Sequence, residues 1–172
     1  VYIAQTERGK QMINKIKEKM IVFYKGNLHY IEHFLKVYSY ARMIGEMEGL
    51  DSKTQSILEM AAIVHDISIP TCYEKYGEDS GPTQEKESEA LLRPFLEEFR
   101  LDEDVEERII TLVCHHHTYS PVLGIDHQIL LEADFLVNAS EHKMSRGQVE
   151  NFIEKFAGTE TGKRLLKEIY LV

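Results

Sequence analysis

Along nearly the whole chain apolar residues recur three and four positions apart, and strict alternation of apolar and polar residues is missing. A 3.6-residue period places such positions on one face of a helix, whereas a half-buried strand needs a period of two. The chain is therefore expected to be all-α, a single-domain bundle of about seven or eight helices. Its 172 residues suffice for one full core, and 43% of them are apolar, which excludes a disordered chain. A formal charge of −9 argues against nucleic-acid polymers and anionic membranes as partners.

Glycine and proline mark the borders. A first helix is expected from Thr6 to Tyr24, and Lys25-Gly26-Asn27 breaks it; a second runs from Leu28 to Glu48, before Gly49. Asp51 or Ser52 caps a third, which carries Ile57, Leu58, Ala61, Ala62 and Val64 up to His65. Residues 67–82, with Pro70, Gly77, Gly81 and Pro82, read as a loop. A fourth helix covers Gln84 to Phe99, with Pro94 expected to kink or split it. Asp102 caps a fifth from Glu103 to His116, and a loop from Thr118 to Ile125 precedes a sixth from Asp126 to His142. Ser145 opens a seventh, and Thr159 or Thr161 an eighth. Cys72 and Cys114 show no metal or redox spacing. With neither a signal peptide nor an apolar run of membrane length, a reduced cytoplasm is the expected compartment.

Five positions stand out against these helices: His33, the adjacent pair His65-Asp66, His116 and Asp134. Each falls on an apolar face or at a helix end, where imidazoles and carboxylates are costly to bury without a partner. His33 shares the stripe of Val37, Ala41 and Ile44; alone it would ordinarily be a hydrogen-bonded core residue. His65 continues the stripe of Leu58 and Ala61, and Asp66 lies one step round. Neighbours on a helix diverge by about 100°, so both reach one point only if the helix end aims at it. An acid at a helix C-terminus also opposes the macrodipole, which favours function over local bonding for Asp66.

His116 extends the stripe of Val105, Ile109 and Leu112, with His115 and His117 beside it. Three consecutive histidines do not all fit a core, so one or two belong to a site and the rest to solvent, His116 first. Asp134 sits in Leu130-Leu131-Glu132-Ala133-Asp134-Phe135-Leu136-Val137, where a carboxylate is either paired with a cation or bound to metal. A divalent metal ion satisfies all of these groups at once. Glu85 is either a first-turn acid stabilised by the macrodipole, a second-site ligand or a general base. Lys36, three residues after His33, either holds a phosphate or is solvated. Lys143 is a weaker version of the same idea, and Tyr73, Tyr76 and Tyr119 either line a pocket or cover it.

The order His33, His65-Asp66, Asp134 on successive helices resembles the HD domain superfamily of metal-dependent phosphohydrolases, over residues 28 to 140. The lead-in Ala61-Ala62-Ile63-Val64 and the stretch His116-His117-Thr118-Tyr119 share in the resemblance. It implies one HD-like domain over residues 1–172, with the helices of 145–172 as accessories. It further implies that His33, His65, Asp66 and Asp134 ligate one metal ion. Members with two ions add histidines from the fourth and fifth helices; here Glu85, followed by Glu89-Ala90, stands at the fourth, and His116 or His115 at the fifth. Many phosphodiesterase members continue the doublet with glycine and lysine, whereas Ser68 and Ile69 follow nearby here. No glutamate occurs between the doublet and Glu74, unlike the nucleotidase-like members.

Mixed imidazole and carboxylate ligands suit manganese, iron, cobalt, nickel or zinc better than calcium. One ion is expected, with a second left open. The expected activity is hydrolysis of a small phosphorylated, nucleotide-like substrate by a metal-activated water, which Asp66 or Glu85 orients or deprotonates while Lys36 steadies the phosphate. Two alternatives stand beside it: an HD-fold di-iron oxygenase and a non-catalytic nucleotide-binding sensor. Nucleic-acid polymers and membranes are not expected partners, and a homo-oligomer is left open.

Overall fold

Helix follows helix throughout residues 7–172, which the structure, a computed structural model, describes, with side chains from residue 9 onward. The helices are α1 (Glu7–Tyr24), α2 (Leu28–Met47), α3 (Ser52–Val64), α4 (Ile69–Tyr76), α5 (Gly81–Leu96), α6 (Glu103–Val113), α7 (Ile125–Glu141), α8 (Arg146–Lys155) and α9 (Glu160–Tyr170). A short 3-10 turn, Glu97–Phe99, follows α5, and no strand occurs among the described residues. The all-α expectation holds. The start expected at Thr6 lies outside the described residues.

Local chemistry sets the borders. The Asp51 carboxylate accepts the backbone N–H groups of Lys53 and Thr54, which settles the cap of α3 on Asp51. Ser145 and Gln148 form a capping box at α8, and the Thr159 side chain caps α9 at Gly162. Pro94 is carried inside α5, and the regular helix gives way to the 3-10 turn after Leu96.

Two helix borders depart from expectation. The segment 67–82 is not a plain loop, because α4 lies inside it. Pro70 occupies the first turn of α4, where its missing N–H costs nothing, and Gly77 ends the helix in the left-handed region at φ 73°. Proline and glycine were thus the start and stop of a short helix rather than marks of a loop. The helix expected to reach His116 ends at Val113, so residues 115–117 follow a turn instead of a helical stripe.

Helix α3 is the hub. Its ten consecutive residues from Gln55 to Val64 are buried, and it packs against α1, α2, α6 and α7. Such all-round burial marks a helix enclosed by its neighbours. Helix α7 is nearly as enclosed and lies across both α2 and α3. Helices α8 and α9 pack together, and α9 also touches α7 and α2. Consequently the C-terminal end of α3, the first half of α2 and the middle of α7 meet inside the molecule. None of the described helices is long and apolar enough to cross a membrane.

Candidate metal centre

Three helices bring four side chains to one point. His33 Nε2 lies 3.2 Å from His65 Nε2, 3.3 Å from Asp66 Oδ2 and 3.2 Å from Asp134 Oδ1. His65 Nε2 is 3.3 Å from the same Asp66 oxygen and 3.5 Å from the same Asp134 oxygen. His33, His65 and Asp134 are buried in the core, and Asp66 is nearly so. The helix end does aim both members of the doublet at one place. Helix α3 stops at Val64, and a turn closed by Ile67 N–H on the Val64 carbonyl swings Asp66 back beside His65. The Tyr24 hydroxyl donates to the Asp66 carbonyl at 2.9 Å and pins that turn from α1.

Proton positions follow from the partners of the other ring nitrogens. His33 Nδ1 is 2.8 Å from Glu141 Oε2, and His65 Nδ1 is 2.9 Å from the Ala62 carbonyl. Both partners only accept, so both Nδ1 atoms carry the hydrogen and both Nε2 atoms turn lone pairs inward. Two imidazole lone pairs and two carboxylate oxygens thus converge with no donor among them. Either protons or a cation must sit there. This donor set fits a divalent transition ion: neutral imidazole Nε2 with its Nδ1–H anchored is the usual form of a metal ligand, and mixed nitrogen and oxygen donors suit borderline ions. His33, His65 and Asp66 could hold such an ion, with Asp134 completing the set.

A second group adjoins the first through Asp66. Its Oδ1 lies 3.4 Å from His116 Nε2, and Asp66, His116 and His117 could together hold an ion as well. His116 Nδ1 donates to the Val113 carbonyl at 2.7 Å, leaving Nε2 buried without a hydrogen bond; His117 Nε2 is likewise unpartnered. Buried nitrogens in that condition are rare in finished structures unless a ligand or ion meets them.

The charges respond to this crowding. Burial opposes protonation of His33 and His65, but Asp134 and Asp66 beside them prevail and raise both above the ordinary imidazole range. Burial pushes Asp66 and Asp134 up, yet the facing imidazoles hold both carboxyls far below their usual range. His117 goes the other way: burial, and His116 next to it, push it down to about 4.

A sequence profile of the HD domain matches residues 30–139, more than half of the chain. The chain belongs to the HD domain family. A crystal structure of a predicted HD superfamily hydrolase from an uncultured Thermotogales bacterium is similar to it, with 23% identity and a TM-score of 0.62 over 92% of this chain and 83% of that one. That likeness shows a shared fold. No curated protein matches the chain.

Within this HD domain the structure sorts the remaining candidates. His115 joins neither group: its Nδ1 bonds the Thr111 carbonyl at 2.8 Å, and His117 takes the place expected of it. The reason is the early end of α6, after which helical spacing no longer says which neighbour of His116 turns inward with it. Glu85 is in neither group. Its Oε1 accepts the His117 N–H at 3.2 Å and the Thr118 hydroxyl at 2.9 Å, so it holds the histidine loop in place. Gly81 belongs to the same contact, because a Cβ there would meet the His117 side chain at 2.8 Å.

Lys36 is bound at 3.1 Å to Glu141 Oε1. Lys143 is exposed. Of the tyrosines, Tyr119 packs on Phe152 and Phe156 as cover, Tyr76 bonds Glu87, and Tyr73 stays half exposed. Three residues escaped sequence reading. His117 was one of two neighbours flanking His116 with nothing to choose between them; Tyr24 and Glu141 sit at helix ends, where an aromatic or an acid is ordinarily a surface residue.

Proposed function

We propose that this HD domain protein is a metal-dependent phosphohydrolase acting on a small, nucleotide-like phosphoester. The observation that carries the reading is the convergence of His33 Nε2, His65 Nε2 and one oxygen each of Asp66 and Asp134 on a place that only protons or a cation can fill. A bound divalent ion polarises a phosphoryl oxygen and lowers the pKa of a coordinated water. His33, His65, Asp66 and Asp134 hold the first ion in this reading, and Asp66, His116 and His117 a second. Asp66 serves both groups, one oxygen to each; with the first ion alone bound, its Oδ1 is free of metal and is the acceptor we assign to the proton leaving the attacking water. Glu85 acts as a positioning residue that fixes His117 and Thr118, rather than as the base. Phosphate charge is met at the metal centre rather than by Lys36, whose ammonium faces Glu141.

The phosphoester reading is tested by a panel of phosphomonoesters, phosphodiesters and nucleotides with manganese, cobalt or nickel. Ion-dependent hydrolysis by the wild type and its loss in Asp66→Ala are expected. No turnover with any ion, or equal turnover by the variant, contradicts it. One observation also suits a di-iron oxygenase: a carboxylate that offers one oxygen to each of two histidine groups. Two irons per chain with oxygen consumption on an organic substrate, and no phosphate release, would favour that reading.

A further inference from the structure

Three of the histidines of the centre, His33, His65 and His116, are not anchored alike. His65 and His116 each follow a helix end, and each gives its Nδ1–H to a backbone carbonyl three residues back, Ala62 and Val113. Carbonyls of a last helical turn lack an intrahelical partner and are available for this. His33 lies within α2, where the backbone carbonyls of the preceding turn are taken up by the helix. Its anchor must come from elsewhere, and it is a carboxylate: Glu141 Oε2, from the last residue of α7, at 2.8 Å.

The other Glu141 oxygen is held by Lys36 Nζ at 3.1 Å. Glu141 is seven residues, two turns, beyond Asp134, so α7 presents ligand and support on one face. Lys36 is three residues beyond His33, so α2 does the same. The Glu141 side chain is largely shielded, at 12% exposure, so its charge acts at close range on His33 rather than on solvent.

We infer that Glu141 is a positioning residue for the metal centre, orienting His33 and strengthening its Nε2 as a donor, and that Lys36 acts by clamping Glu141 rather than by binding phosphate. The inference rests on the metal-binding reading above. Among these three histidines it assigns a charged anchor to His33 alone, so the ion held by the His33 group is the one that depends on it.

The test is titration of the metal-free protein with Co(II) alone, read by calorimetry and by the visible absorption of the bound ion. Removing a carboxylate behind a ligating histidine typically weakens metal binding about 10- to 100-fold, and that loss is expected of Glu141→Ala, together with a changed Co(II) spectrum. Glu141→Gln keeps an oxygen for the Nδ1–H but no charge, so its affinity falls between wild type and Glu141→Ala. Lys36→Met weakens Co(II) binding about two- to fivefold, as loss of a half-exposed ion pair should. Wild-type Co(II) affinity and spectrum in a folded Glu141→Gln or Glu141→Ala overturn the inference. Unchanged Co(II) affinity in Lys36→Met with a raised KM for phosphoesters returns Lys36 to substrate binding. A wild type that binds no Co(II) removes the metal reading itself, and the inference with it.

Discussion

Glu132 and Asp134 are two buried carboxylates on one helix, two residues apart, and they have opposite surroundings. Glu132, with no exposure at all, accepts from the Gln128 amide at 2.7 Å and from the N–H groups of Gly158 and Thr159 at 2.6 and 2.9 Å. The Thr159 hydroxyl also donates to its second oxygen. Asp134 Oδ1 instead faces two imidazole Nε2 atoms, which hold it only when they carry protons or share a cation with it. A two-residue step on a helix turns through about 200°, so α7 sends one carboxylate toward the α8–α9 junction and the other toward α2 and α3. Burial is the same for both, at 0% and 4% exposure, so burial alone does not identify a site. The partners do. Neutral donors around Glu132 make it a clasp between helices, and their lack around Asp134 leaves a place for a cation.

The comparison breaks most readily at Glu132. Glu132→Ala removes the acceptor of four donors; Gln128 Nε2 keeps the Phe156 carbonyl, so three are left unsatisfied, and a loss of at least ~3 kcal/mol is expected in urea denaturation. Metal stoichiometry of the folded protein should stay at the wild-type value. A loss below about 1 kcal/mol would deny that Glu132 is a clasp.

Next in size is the effect of metal. A divalent ion at about 100 times its Kd stabilises the wild type by about 2.7 kcal/mol, and a chelator reverses this. In Asp134→Ala the ion should give little or no shift, because one of its ligands is gone. An equal shift in the variant, followed by thermal unfolding with and without manganese, would place the ion elsewhere.

A smaller effect sharpens the clasp. A Cβ on Gly162 would meet Glu132 Oε2 at 2.0 Å, whereas one on Gly147 meets nothing within 4 Å. Gly162→Ala is expected to cost about 1–3 kcal/mol through crowding. Gly147→Ala should be neutral or gain up to about 1 kcal/mol, since alanine suits a helix better. Thermal unfolding of the pair separates packing from propensity.

The smallest concerns Glu48. Its Oε1 accepts the Thr161 N–H at 2.8 Å, and the Thr161 bonds hold its carboxyl below the usual range. A depressed folded pKa contributes stability above the unfolded value of 4.5 and loses it as pH falls through the folded value. Glu48→Gln should therefore matter above about pH 4.5 and not in strong acid, by less than about 1 kcal/mol because the group is largely solvated. A stability difference that grows below pH 4 would reverse the sign of this account.

Much of this was readable from residues, for a physical reason. His33 and Asp134 lie within helices, so a stripe of apolar neighbours fixed the face each occupies. His65 and Asp66 were readable as a pair because the helix visibly stopped after them. Legibility failed where the helix period ended. Periodicity put His116 first, but it could not rank His115 against His117 once α6 stopped at Val113. Helix α4 was hidden because Pro70 and Gly77 start and stop a helix with the same residues that build loops. Glu132 was visible in an apolar run beside Asp134, but its role depends on donors from residues 158 and 159, far along the chain. Glu141 finds His33 only across 108 positions of sequence, a distance no local pattern spans.

The central claim is that a divalent ion belongs among His33, His65, Asp66 and Asp134. Anomalous scattering from crystals grown with manganese tests it most directly. The account predicts a peak within about 2.0–2.3 Å of His33 Nε2, His65 Nε2 and the two aspartate carboxylates, and none beside Glu132. A cluster without a peak, its imidazoles and carboxylates bonded to one another through protons or water, would contradict it.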